Sequence, residues 1–112
     1  MPGLRVLDDA IELVVLCRPL WEKVARHHAE LSKQLRRSSV NVPLNIAEGD
    51  GRWDGNGRQR LTTAMHEARE TRVNLRTGVA AGFLREEEAR EARALADKIA
   101  ATLYKLVGTR GA

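Results

Sequence analysis

Gln34-Leu35-Arg36-Arg37-Ser38-Ser39-Val40-Asn41-Val42-Pro43-Leu44-Asn45-Ile46-Ala47-Glu48-Gly49, continued by Asp50-Gly51-Arg52, reads as helix on both sides of an internal proline. With Leu31 just upstream, Leu35, Val42 and Ile46 recur at helical spacings, and Ser38 and Ser39 are the small residues between them. Pro43 has no amide hydrogen and crowds the carbonyl four residues back, so a kink or local break is expected there. Asn41 and Asn45 flank it, with amides available to the freed backbone groups. Gly49 is expected to stop the helix in a left-handed cap.

Outward from this stretch, three further helices follow from periodicity. The first covers about residues 6–25. Its seam of Val6, Ala10, Leu13, Cys17, Leu20 and Val24 alternates steps of three and four, and Pro19 should kink it. Arg26-His27-His28 reads as the connection to the second helix, at about 29–48, with the histidines as loop or cap residues. Adjacent histidines point about 100° apart on a helix and have no carboxylate or thiolate company nearby in sequence, which disfavours a metal site. The polar run Asp50–Gly57 is a helix–helix loop with Asp54 or Asn56 as N-cap of the third helix, about 57–81. Leu61, Ala64, Met65, Ala68, Leu75 and Val79 form the core face of that helix. Gly82 ends it. Glu86, Glu87 and Glu88 open the fourth, about 86–107, whose seam is Ala92, Ala96, Ile99, Leu103 and Leu106. Four amphipathic helices with short connections predict one all-α domain over residues 1–112, an antiparallel up-down-up-down four-helix bundle.

Composition agrees. The chain has 112 residues, with 43% hydrophobic, 30% charged and only 4% aromatic residues, an ordinary balance for a globular domain rich in helix. No apolar run approaches the length needed to cross a bilayer, and the N-terminus lacks the pattern of a signal peptide, so a cytoplasmic protein is expected. Cys17 is the single cysteine and lies on the apolar seam, where a small buried hydrophobe is the simplest reading. No disulfide framework or thiolate metal cluster follows from it.

Charge is uneven. The net charge is +4, and residues 31–85 hold ten basic groups against five acidic ones, nine of the ten being arginine. Arginine's planar fork suits phosphate oxygens, so the excess points to a polyanion partner. Arg69, Arg72 and Arg76 fall on one stripe of the third helix, partly opposed by Glu67 and Glu70. Arg36 and Arg37 lie on the second helix with Lys33. A phosphate fits at the N-terminus of the third helix beside Arg52, Arg58 and Arg60. Trp53 in the loop is the best candidate for base stacking, with a packing role as its equal alternative. Elsewhere on the first helix, Ile11, Val14, Val15 and Leu16 extend the apolar surface beyond the one stripe a small bundle needs, which predicts self-association.

Familiar catalytic and binding motifs fail. The glycine-rich loop follows a helix rather than a strand, so it is no dinucleotide fingerprint. Arg52 and Leu61 stand where a calcium loop needs oxygen ligands. The lysine and hydroxyl that end a P-loop are missing, and His66-Glu67 has no second histidine for a metalloprotease helix. No nucleophile or acid–base pair with an orienting third group is visible, so no catalytic residue, metal or cofactor is expected.

The run Gln34-Leu35-Arg36-Arg37, then Val42-Pro43-Leu44-Asn45-Ile46-Ala47-Glu48-Gly49 and Gly51-Arg52, resembles the signature of the 23S rRNA intervening-sequence proteins, a four-helix-bundle family. The accessory proteins of reverse transcriptases in diversity-generating retroelements share that fold. Ala68-Arg69-Glu70-Thr71 and Gly82-Phe83-Leu84 resemble its later motifs. Ser38 and Ser39 depart from the alanines usual in the family, and Asp50 is also unusual. The resemblance implies a ring-shaped homo-oligomer, most simply a pentamer, with RNA or an RNA–reverse-transcriptase complex as partner. A non-enzymatic nucleic-acid-binding adaptor acting through Arg36, Arg37, Arg52, Arg58, Arg60, Arg69, Arg72 and Arg76 is therefore the expected function. The alternative is a protein–protein scaffold without direct nucleic-acid binding.

Overall fold

The computed structural model describes residues 2–50 and 55–110, with side chains from Arg5 to Asp50 and from Gly55 to Gly108. Four helices follow in order: α1 Pro2–Ala25, α2 Ala29–Gly49, α3 Gly55–Ala80 and α4 Glu86–Arg110. No strand occurs among the described residues. At 1.5 Å per residue, 21 to 26 residues make rods of about 32–39 Å, which must lie along the long axis of a body measuring 43 × 22 × 19 Å.

Side-chain contacts give the direction. From α2 to α3, Glu48 meets Arg60, Asn41 meets Glu67 and Ser38 meets Thr71, so the numbers rise on one helix as they fall on the other. Lys23 and Asp9 of α1 meet Glu88 and Lys98 of α4 in the same sense. Each helix packs on two neighbours, and the bundle is antiparallel, up-down-up-down.

The expected seams are the core. Val6, Ala10, Leu13, Cys17, Leu20 and Val24 of α1 are buried, as are Ala92, Ala96, Ile99 and Leu103 of α4. On α3, Leu61, Ala64, Met65, Ala68 and Leu75 are buried, while Val79 packs at the edge. Burial pushes the Cys17 thiol up to about 12, with Ser39 opposing that weakly through a hydrogen bond. The thiol is a packed hydrophobe in an inert state.

The interior also holds a polar cluster. The Thr71 hydroxyl lies 2.9 Å from the Ser38 hydroxyl, and the Asn74 amide donates to the same oxygen at 3.3 Å. Ser39 donates back to the carbonyl of Leu35, at 2.8 Å. Ser38 thus bonds both across the α2–α3 interface and, at 3.3 Å, back to the Leu35 carbonyl, whereas the Ser39 hydroxyl donates within α2.

Several local expectations need correction. Gly49 is not a left-handed cap. It is the buried last residue of α2, and Gly82 is the only described residue with positive φ, at 81°. What requires glycine at 49 is closeness: a Cβ there would sit 2.9 Å from the carbonyl oxygen of Gly57 and 3.0 Å from Leu61. Neither proline ends its helix: α1 runs through Pro19 and α2 through Pro43. Asn45 donates to the carbonyl of Asn41 at 2.8 Å, whereas the Asn41 amide reaches across to Glu67. Asn56 lies inside α3 and does not cap it, and Asp54, the other candidate, lies outside the described residues.

The remaining ends behave as expected. His28 is the N-cap of α2, its Nδ1 accepting from the Leu31 amide at 3.0 Å. Ring stacking with Phe83 holds both His27 and His28 beside the α3–α4 turn. That turn is a Schellman closure, with Gly82 donating to Val79 and Phe83 to Gly78. Glu88 reaches back to the Arg85 amide at 2.7 Å and also takes Lys23, and these contacts, Lys23 first, hold its carboxyl below the usual range.

Candidate nucleic-acid interface

The eight arginines proposed from sequence do not form one patch. Arg52, like Trp53, lies outside the described residues. Arg60 is paired with Glu48 across the α2–α3 seam at 3.0 Å, and Arg72 with Asp97 of α4 at 2.6 Å. These two ions already serve the bundle. Arg36, Arg37, Arg58, Arg69 and Arg76 are exposed, and none makes an ion pair within hydrogen-bonding distance among the described residues.

These five divide by face. On α2, Lys33, Arg36 and Arg37 stand with Val40 and Asn41 around a shallow cleft of about 370 Å³ whose floor is mostly apolar. Leu44, one turn beyond Val40, is exposed on the same side. On α3, positions 58, 69, 72 and 76 fall within about 60° of one another at 100° per residue, on the flank that meets α4. The Arg72–Asp97 pair and the cleft shared by Arg58 with Tyr104 and Val107 of α4 fix that flank.

Glu67 and Glu70 sit between the two basic groups, on the α2 side of α3. Burial raises the Glu67 carboxyl above its ordinary value, the Asn41 amide opposes that, and the neighbouring Glu70 adds to the rise. Arg37 draws it down only weakly. The acids therefore separate the α2 cations from the α3 stripe rather than cancelling either.

Tyr104 is the residue that sequence reading missed. The residue is 65% exposed, more than any other large hydrophobic residue described, and it lines the α3–α4 cleft with Arg58, Met65 and Lys105. The available signal was its position: Tyr104 follows the buried Leu103 and falls off the α4 seam.

The four residues expected to mediate self-association also separate. Ile11 and Val15, one turn apart, are 51% and 59% exposed on the outermost line of α1. Val14 is half-buried, and Leu16 packs against the chain's own core. Among the described residues no group of three His, Cys, Asp or Glu side chains converges where a metal ion would sit, and no helix is long and apolar enough to cross a membrane.

The comparisons with known proteins agree with this architecture. The family described as 23S rRNA-intervening sequence protein matches residues 3–105. A crystal structure of a protein of unknown function from the S23 ribosomal protein family of Bacteroides thetaiotaomicron is similar over 91% of this chain and 97% of its own. Its TM-score is 0.82 at 23% identity, a likeness of fold. No curated protein matches the chain. A family match across nearly the whole length, on a four-helix bundle built around the Pro43 helix, places this chain in the 23S rRNA-intervening sequence protein family.

Proposed function

We propose that the protein is a non-enzymatic, oligomeric cytoplasmic adaptor that holds nucleic acid, RNA by preference, on the α3 flank. The observation that carries this reading is the set of exposed arginines at 58, 69 and 76, without an ion pair among the described residues and aligned over about 27 Å of one helix. Arginine on a rigid helix presents its forks without a loop to order, and phosphate contacts of this kind need no base reading. Self-association through Ile11 and Val15 into a ring, of five copies if it follows the family resemblance, would repeat the stripe around an axis and raise avidity. A reverse transcriptase acting on the same RNA is the protein partner that fits this reading.

Salt-titrated binding to structured RNA tests it. Log affinity should fall linearly with log salt. Replacing Arg58, Arg69 and Arg76 together by Gln should weaken binding and flatten that slope by about 2 per protomer contacting single-stranded regions. Binding that is absent at low salt would overturn the reading.

A second reading has its own observation. The α2 cleft combines three exposed cations with an apolar floor, which suits an acidic protein segment better than a phosphate backbone. Under it, Arg36→Glu with Arg37→Glu would abolish partner binding while the α3 substitutions leave it intact.

A further inference from the structure

We infer that the α3–α4 cleft selects single-stranded over duplex nucleic acid, with Tyr104 as the platform on which one unpaired base stacks. The inference rests on the nucleic-acid reading above and adds to it a strand preference and a residue. Tyr104 projects 65% exposed beside Arg58, and its ring makes no aromatic contact with any described residue. An aromatic side chain left in water on a bundle whose seams take up most other large apolar groups calls for an occupant.

The cleft offers one. Its volume is about 610 Å³, with the buried Met65 at its base and the half-buried Val107 at its side to meet the edge of a planar ring. Arg58 stands at the same opening, and Arg69 and Arg76 continue the cationic line along α3. Asp97, which would repel a phosphate midway, is held by Arg72 at 2.6 Å. Cations along a backbone path with an aromatic face at one end form the arrangement that binds single strands, because every base has a π-face. In a duplex those faces are covered by neighbouring bases, so only the phosphate contacts remain.

The test uses the full-length protein and two probes, an oligouridine single strand and an RNA duplex of the same length, followed by fluorescence anisotropy. The single strand is expected to bind at least about tenfold tighter. Tyr104→Ala should reduce its affinity about tenfold and leave duplex affinity and the salt slope unchanged, while Tyr104→Phe should retain binding. Arg69→Gln with Arg76→Gln should weaken both probes and flatten both slopes. Equal affinity of wild type for the two probes, or Tyr104→Ala binding the single strand like wild type, would overturn the stacking role and leave phosphate binding standing. No binding of either probe at low salt would overturn both. Because Tyr104 is exposed, helical content by circular dichroism should be unchanged in every Tyr104 variant.

Discussion

Single residues carry two of the sharper expectations. Gly49 looked like a helix terminator and is instead a contact point, where the backbone of α2 approaches Gly57 and Leu61 too closely for any side chain. Gly49→Ala should therefore destabilise the protein by about 1–3 kcal/mol, the range for overpacking, although alanine is the better helix former. Urea unfolding would show it, and a stabilised variant would mean the two helices can part cheaply. Glu67 has a raised carboxyl through burial, so its charge opposes folding at neutral pH. The penalty is complete above the folded value and absent below the unfolded one, where both states bind the proton. Glu67→Gln keeps an acceptor for Asn41 and removes the charge. It should be more stable than wild type at pH 7, and the gain should fade as pH drops through the carboxylate range. Denaturant midpoints compared across that range would detect the trend or its absence.

Elements were more legible than residues. Both prolines sit inside strong apolar periodicity, and burial of Leu13, Cys17, Leu35, Val42 and Ile46 outweighs one missing hydrogen bond in each helix. Helix starts were less legible. Asp54 and Asn56 both have cap chemistry, and composition alone does not choose between neighbouring polar residues. His28 was readable as a cap only because the seam ends at Val24 and resumes at Leu31. Replacing it by Ala should cost about 1 kcal/mol, whereas His28→Asp, which keeps an acceptor for the Leu31 amide, should recover most of the loss. Thermal unfolding of the pair would decide, and equal melting temperatures would show that Phe83 stacking, not capping, is what His28 contributes.

For the whole molecule, burial within a helix was readable and the distribution of charge across helices was not. Periodicity tells which side of α3 faces inward. It does not tell that Asp97 would take Arg72, that Glu48 would take Arg60, or that Glu67 and Glu70 would lie between two basic groups. Those facts depend on which helix stands beside which. The same limit hid Tyr104, whose neighbour Arg58 is far away in sequence. The outer line of α1 belongs to this scale. If Ile11 and Val15 are covered by another copy, Val15→Asp should reduce the solution mass to that of a monomer without loss of helix, measured by light scattering and circular dichroism. An unchanged mass would move the interface elsewhere.

The hydroxyl cluster of Ser38, Thr71 and Asn74 bears on how the chain finds its own alignment. Stripes of leucine, valine and alanine are tolerant partners: sliding α3 along α2 by one turn, about 5.4 Å, exchanges one aliphatic contact for another. Ser38 and Thr71 would keep their bonds to the Leu35 and Glu67 carbonyls of their own helices, but Asn74 would be buried without its acceptor, at about 1–3 kcal/mol. The slipped bundle is thereby penalised at one fixed depth, next to Cys17 and Ser39. Ser38 acts as an index mark, telling α3 how far along α2 to stop.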